Sequence, residues 1–421
     1  MRAVTTSAGR ISLATVLICA TVTFGAGVAW KSYCAGGDWG DARQYTTACY
    51  SDIIPLLGAE QLTSSRLPYI DACAKSDGNC DEYPVLSMYF MRIAASLSGP
   101  NPTAFFWTNV VMLWICAMVV VACCYFVVGS RALYVALAPT LLLSGVLNWD
   151  LLAIALSMAG VLYFFTRREV ESGAYLGLGA AAKFFPVLLV IPLAVDRIRS
   201  REPDRGITIA WSAGAAWFLA NIPFALLGLT GWLEFFRFNS TRGADYDSLW
   251  YIGYRLSGGY ASDHTALINL ASAGLFVGLV GLVWAIKAHR HPAFPRWTLG
   301  FPILALFLLT NKVYSPQYSL WLIPWFALAL PRIWEFAAFQ VADVLVYVAR
   351  FRWFGTLPPY LLAGPSEAMF EFFVVVRAAV LLGCVIGWLL YEAAPLPIQL
   401  TLAAAEADPH EAEPDPTPLP A

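Results

Sequence analysis

Long apolar runs separated by short polar turns dominate the chain. A helix that crosses the hydrocarbon core of a bilayer needs roughly 17–25 residues. The pattern predicts about twelve membrane segments, at 11–30, 104–128, 133–147, 151–165, 172–182, 185–195, 207–228, 264–286, 297–311, 316–331, 335–349 and 370–391. The segments at 172–182 and 185–195 are short for a span, and the pattern leaves open whether they cross the bilayer or re-enter it.

The composition supports an all-α polytopic membrane protein. Residues of the AVILMFWYC set make up 59% of the 421 residues and charged residues only 13%, whereas soluble globular proteins are about 45–50% apolar and about 25% charged. The formal net charge of -2 provides no positive surplus for a nucleic-acid backbone. These figures exclude an ordinary soluble domain, a disordered chain, a coiled coil and a nucleic-acid-binding protein.

Basic residues in the short loops orient the chain. They precede segment 1 and follow segments 4, 6 and 8, as Arg2, Arg10, Arg167, Arg168, Arg197, Arg199, Arg201, Arg205, Lys287, Arg290 and Arg296. Because such loops remain in the cytoplasm, we expect a plasma-membrane protein with both termini cytoplasmic. The loops at 31–103 and 229–263 then lie outside the cytoplasm.

The chain therefore divides into one membrane domain, 1–391, and a tail, 392–421. The tail is acidic and rich in proline, which predicts a disordered cytoplasmic segment. We expect the first apolar segment to be an uncleaved anchor, because it is longer than the h-region of a signal peptide, roughly 7–15 residues. A signal peptide is the alternative.

The first large loop carries four cysteines, at Cys34, Cys49, Cys73 and Cys80. An extracytoplasmic compartment permits disulfides, so two disulfides are expected, and the sequence leaves all three pairings open. Free thiols and a metal site are the alternatives. The loop contains no histidine and no CxxC spacing, which disfavours the metal.

Charged residues collect on the predicted outer face. Its cations include Lys183, Arg237, Arg242, Arg255, Lys312, Arg350 and Arg352. A single cation at a helix end commonly snorkels to the lipid headgroups, but as a group they predict a site for an anion at the membrane surface. Most loop acids are simply solvated, yet Asp52 precedes an apolar stretch suited to an amphipathic helix. Asp150 lies in NWDLL, where favouring the helix dipole is the alternative to a role in the site.

Two strings place a lysine and aromatic residues just before a proline at a predicted helix start. They are GAAAKFFPVLLVIP at 179–192 and TNKVYSPQYSLWLIP at 310–324. Proline is common in the first turn of a helix and needs no functional explanation there. The second string, however, places hydrogen-bonding side chains together where the lipid begins, and this density favours a functional site containing Asn311, Lys312, Tyr314, Ser315, Gln317 and Tyr318.

The order of these features resembles a known family. A cytoplasmic anchor, a long external loop with an early aspartate, EYP, NWDLL, GLGAAAKFFPVLLVIPL and NKVYSPQYSLWLIP follow one another along the chain. Over residues 10–391 this resembles the polytopic GT-C glycosyltransferases, in particular the actinobacterial polyprenol-phosphate-mannose-dependent mannosyltransferases of family 87. The resemblance implies a GT-C-like helical bundle whose catalytic base is an acid in the first external loop. By position the base is Asp52, with Glu82 and Asp38 as second choices.

The resemblance also implies the substrates. A sugar attached through C1 to a polyprenyl monophosphate passes to an acceptor hydroxyl outside the cytoplasm, with inversion. Lys183, Lys312, Arg237 and Arg242 are the candidates for the leaving phosphate. The candidates for the sugar and the acceptor are Tyr314, Gln317, Asn311, Asp150, Trp149 and Trp250, although tryptophans also anchor helices at the interface.

No metal or other cofactor is expected, because no group of acids has the spacing of metal ligands. Mannose is the favoured sugar and arabinofuranose the alternative. The acceptor is a glycolipid, a glycan or a protein. Two further classes of function compete with the transferase. A transporter or flippase of lipid-linked sugars should have two related halves, and no internal repeat is visible. A non-catalytic scaffold in envelope assembly would tolerate the loss of Asp52.

Overall fold

The computed structural model describes residues 11–63, 65–73, 80–259, 264–394 and 396. Within these residues the regular secondary structure is entirely helical, as the sequence predicts. The helices of the first half are α1 (Leu13–Ser32), α2 (Arg43–Thr46), α3 (Ile53–Ala59), α4 (Val85–Ser98), α5 (Pro102–Val128), α6 (Leu133–Ala136), α7 (Pro139–Ser144), α8 (Asp150–Phe165) and α9 (Glu169–Ala182).

The second half begins with the helix that follows Lys183. Its helices are α10 (Val187–Arg199), α11 (Pro203–Leu227), α12 (Leu229–Thr241), α13 (Leu249–Leu256), α14 (Thr265–Arg290), α15 (Gly300–Thr310), α16 (Ile323–Ala329), α17 (Ile333–Phe354) and α18 (Glu367–Leu390). Short 3₁₀ turns lie at Tyr33–Gly37, Gly129–Ala132, Arg296–Leu299 and Pro316–Trp321.

Five of the described helices, α1, α5, α11, α14 and α18, are long and apolar enough to cross a membrane. Other predicted segments are shorter or interrupted. The run at 133–147 divides into α6 and α7, because Pro139 begins a new helix. The run at 316–331 opens with a 3₁₀ turn before α16. The helical membrane class is confirmed, and the count of about twelve spans stays a prediction.

Both predicted outer loops contain helices of their own. The apolar stretch after Asp52 forms α3, which buries Ile53 and Leu57 on one side. Helices α4, α12 and α13 were not predicted from the sequence. Of the predicted tail at 392–421, all but 392–394 and 396 lies outside the described residues, as do Arg2 and Arg10.

Helix α9 packs between α8 and α11, and its backbone touches that of α11. A Cβ atom on Gly173 would lie 2.3 Å from the carbonyl oxygen of Ile209, and one on Gly177 would lie 2.1 Å from that of Ala213. Small residues allow two membrane helices to approach this closely. The seam fixes α9, and therefore the position of Lys183 directly after it.

Candidate functional site

The loops that the sequence places outside the cytoplasm meet around one cavity of about 880 Å³. Its walls come from the first large loop, the α7–α8, α9–α10 and α15–α16 connections, α12 with the segment after it, and the end of α17. The cavity brings together nine of the predicted site residues, namely Asp52, Glu82, Lys183, Arg242, Asn311, Lys312, Ser315, Gln317 and Tyr318.

Asp52 stands at the start of α3 with its carboxylate partly exposed to the cavity. The side-chain amide of Asn148 donates to Asp52 Oδ2 at 2.8 Å and to the hydroxyl of Tyr83 at 2.8 Å. Burial raises the pKa of Asp52, and hydrogen bonds from Asn148 and Tyr50 counteract part of this rise. An oriented carboxylate with a raised pKa suits a general base.

Lys183 leaves α9 in an extended conformation and reaches the cavity beside Asp150. Its Nζ lies 3.2 Å from Asp150 Oδ2, while Trp321 Nε1 donates to Asp150 Oδ1 at 2.7 Å. Burial alone would lower the pKa of Lys183, but the attraction of Asp150 outweighs it and the pKa is raised. Lys183 is therefore a protonated cation. Asp150 is fully buried and orients it from behind the cavity wall.

Lys312 and Arg242 place two further cations in the cavity. Lys312 Nζ donates to the carbonyl oxygen of Arg242 at 2.6 Å, and the Asp245 N–H donates to the carbonyl oxygen of Lys312 at 2.8 Å. Arg242 Nη2 lies 3.1 Å from Asp245 Oδ2. Within the described residues Lys312 has no carboxylate partner. Burial, followed by the nearby charge of Arg242, lowers the pKa of Lys312 to about 8.

Arg350 is a cation of the cavity wall that the sequence indicated only as one of the group of outer-face cations. It comes from the end of α17, where its Nη2 lies 3.4 Å from Asp245 Oδ1, and its Nη1 donates to Asp247. Arg352 is exposed and lies outside this cavity. Side chains two residues apart on an α-helix point in directions that differ by about 200°. Only one of Arg350 and Arg352 can therefore point into the cavity. The sequence therefore offered two signals for Arg350, its place after the segment at 335–349 and this helical spacing.

An aromatic stack forms another part of the wall. Trp321 lies between Phe185 and Tyr318, with ring centroids 4.2 Å away on each side. The ammonium of Lys183 lies 5.1 Å from the Tyr318 ring. Trp321 and Phe185 come from the two lysine-containing strings, but nothing in the sequence indicated that the strings touch.

Besides Asp150, three more predicted residues with charges or hydroxyls do not line the cavity. Asp38 is exposed at the end of a 3₁₀ turn, and Arg237 pairs with Glu234 of its own helix at 2.7 Å. Tyr314 is buried, with its hydroxyl 3.1 Å from that of Ser319. The structure therefore does not bring these three residues to the place where Asp52 and the lysines meet.

The two predicted tryptophans also lie behind the cavity wall. Trp149 is buried and donates its indole N–H to Asn109 Oδ1 at 2.6 Å. Trp250 donates to the carbonyl oxygen of Thr310 at 2.7 Å. Both indoles serve the packing of the helices, as indole N–H groups in protein interiors usually do.

The structure pairs the four loop cysteines as Cys34–Cys49 and Cys73–Cys80. This is one of the three pairings that the sequence left open. Within the described residues, no three histidine, cysteine, aspartate or glutamate side chains converge as ligands for a metal ion. The positive charge of the cavity is supplied by lysine and arginine side chains.

A membrane-embedded helical bundle with a carboxylate and several cations in one cavity has the features of an integral membrane enzyme that acts on an anionic substrate. A family model described as glycosyltransferase family 87 matches residues 82–311, more than half of the chain. The chain belongs to this family and is a membrane glycosyltransferase. A search of curated proteins finds no match. The matched region includes Glu82, Asn148 and Lys183, whereas Asp52 and Lys312 lie outside it.

Proposed function

We propose that the protein transfers mannose from a polyprenyl-phosphate-linked donor to an acceptor hydroxyl on the extracytoplasmic side of the membrane. The observation that carries the proposal is the presence of Asp52, Lys183, Arg242 and Lys312 around a single cavity. A glycosyl transfer from a lipid phosphate needs both elements, a base for the acceptor and cations for the leaving group.

The transfer is a single displacement. The acceptor oxygen attacks C1 of the sugar as its proton passes to a carboxylate oxygen of Asp52. The bond between C1 and the phosphate oxygen breaks, and the electron pair leaves with the polyprenyl phosphate. Inversion at C1 converts a β-linked mannosyl phosphate into an α-mannoside.

Lys183, Lys312 and Arg242 bind the phosphate and stabilise the charge that develops on it. Hydrogen bonds from cations to phosphate oxygens are about twice as strong as those between neutral groups. We propose that these side chains perform the task without a metal ion, because a monophosphate leaving group carries less charge than a pyrophosphate. Asn311 and Gln317, which line the same cavity, are the polar candidates for hydroxyl groups of the sugar.

The size and the apolar walls of the cavity suit a lipid-linked sugar. Ligand cavities of this class commonly measure about 300–1,000 Å³, and the value here is about 880 Å³. Phenylalanines contribute several wall positions, at Phe184, Phe235, Phe236, Phe238 and Phe354. These rings provide an apolar surface for the first isoprene units, next to the cations that hold the phosphate.

The test uses purified protein with labelled polyprenyl-phospho-mannose, labelled polyprenyl-phospho-arabinofuranose and a panel of acceptors. Asp52→Asn should reduce transfer about 10²–10⁴-fold, as expected for the loss of a general base. Asp38→Asn is the matched control, because that exposed aspartate lies in the same loop but outside the cavity. If Asp52→Asn loses less than about tenfold, the base is not Asp52, and Glu82 in the same cavity becomes the candidate. Preference for the arabinose donor would overturn the choice of sugar.

A further inference from the structure

The chain just before Asp52 is fixed to the end of α1. Cys49 forms a disulfide with Cys34, which follows α1 by two residues. The next residue, Tyr50, accepts a hydrogen bond at its carbonyl oxygen from the amine of Lys31. Lys31 is completely buried and also donates to the hydroxyl of Tyr347 at 2.6 Å.

The following two residues are fixed to a different part of the bundle. The hydroxyl of Ser51 donates to the carbonyl oxygen of Val146 at 2.7 Å. The Asp52 N–H donates to the carbonyl oxygen of Leu147 at 2.9 Å. Four consecutive residues are therefore tied down, two to α1 and two to the connection between α7 and α8.

The burial of Lys31 needs an explanation, because the transfer itself does not use this side chain. An amine buried without a carboxylate is costly compared with an apolar side chain of similar size. Within the described residues Lys31 makes no ion pair. Its contacts are the carbonyl of Tyr50, two residues from Asp52, and the phenol of Tyr347. An apolar residue could make neither of these two hydrogen bonds, and the one to Tyr50 holds the backbone next to Asp52.

We propose that the Cys34–Cys49 disulfide and Lys31 form a clamp that positions Asp52 for proton transfer. This inference rests on the proposed function, in which Asp52 is the base. A base must lie within hydrogen-bond reach of the acceptor hydroxyl, and a displacement of about 1 Å can reduce the rate about 10²-fold. Loss of the clamp should therefore lower kcat, while donor binding by the lysines is preserved.

The test compares Cys34→Ser/Cys49→Ser with Cys73→Ser/Cys80→Ser in the full-length purified protein. The second variant opens the other disulfide of the same loop and serves as the control. The first should lower kcat at least about tenfold with little change in the KM for the donor, and the control should keep kcat within about twofold. Lys31→Met, which keeps most of the side-chain volume, should lower kcat in the same way. If the first variant does not accumulate in the membrane, the kcat of Lys31→Met tests the clamp instead.

Asp52→Asn in combination with Lys31→Met separates positioning from general damage. If the clamp acts through Asp52, Lys31→Met should reduce the residual rate of Asp52→Asn no further. An unchanged kcat in the clamp variants, or an additive loss in the combination, would overturn the proposal. If Asp52→Asn retains turnover, Asp52 is not the base and the proposed function is wrong on this point. If Asp52→Asn is inactive while the clamp variants have normal kcat, only the clamp proposal is wrong.

Discussion

Replacing Lys312 with methionine tests the phosphate site most directly. The Met side chain keeps the apolar stem and removes the ammonium. An ammonium has three hydrogen-bond donors, and the described contacts of Lys312 use one of them, on the carbonyl oxygen of Arg242. The remaining two are available for the donor phosphate. A hydrogen bond to a charged group contributes about 1.5–3 kcal/mol, so Lys312→Met should lower kcat/KM for the donor roughly ten- to hundredfold.

The pH dependence gives an independent check of the same residue. The phosphodiester of the donor keeps its single negative charge through the neutral and alkaline range, so a change in binding there reflects the enzyme. Because the pKa of Lys312 is lowered to about 8, the wild-type kcat/KM should fall as the pH rises through this value. The Met variant should lack this alkaline limb. Arg352→Met, which removes an exposed cation outside the cavity, should match the wild type.

The stability of the Lys312→Met variant should not fall with its activity. A lysine pKa that is lower in the folded than in the unfolded chain means that the folded protein holds fewer protons between the two values. The contribution of Lys312 to the free energy of unfolding therefore increases as the pH rises from about 8 to 10.5. At pH 7 the buried charge of Lys312 destabilises the folded protein. Thermal unfolding at pH 7 should show no loss for Lys312→Met. A variant with wild-type kcat/KM and the wild-type alkaline limb would refute the assignment of Lys312 to the phosphate.

Three further predictions concern the buried ion pair, the packing of the helices and the orientation of the chain. Asp150→Asn should lower the free energy of unfolding by about 3 kcal/mol, because it leaves the Lys183 ammonium without its buried partner; an unchanged melting temperature would contradict this. Gly177→Ala should destabilise by about 1–3 kcal/mol, because its Cβ meets a backbone carbonyl at 2.1 Å, while Gly214→Ala, with open space around it, should melt like the wild type. An impermeant maleimide should label Ser200→Cys, in the turn after α10, only after cells are opened; labelling of intact cells would reverse the predicted orientation.

The sequence predicted the long helices well because each has a sustained apolar run. The predicted segment at 104–128 differs from α5 by only two residues at its start. The sequence predicted the interrupted regions at 133–147 and 316–331 less well. Their hydrophobic pattern does not reveal where one short helix ends and the next begins. Pro139 begins α7 inside the first of these runs, and in the second a 3₁₀ turn at Pro316–Trp321 precedes α16.

The charged part of the site was partly predictable for a related reason. Lysines at the outer ends of membrane segments are unusual, so Lys183 and Lys312 stood out from the pattern alone. Trp321 did not, and Arg350 stood out only as one of a group of outer-face cations, because their place in the wall depends on how α17 and the α15–α16 connection pack against the rest of the bundle. Packing of this kind joins residues far apart in the chain, and no local pattern encodes it.

The walls of the cavity extend from Tyr45 to Phe354, which constrains when the site can form during synthesis. Membrane segments are made and inserted in chain order, so Asp52 and its supports at Cys34 and Leu147 reach the membrane long before Arg350. A ribosome-bound chain that ends ahead of α17 thus has Asp52 but an unfinished cavity wall. On the proposed function, transfer of the sugar begins only after α17 has joined the bundle and completed the wall.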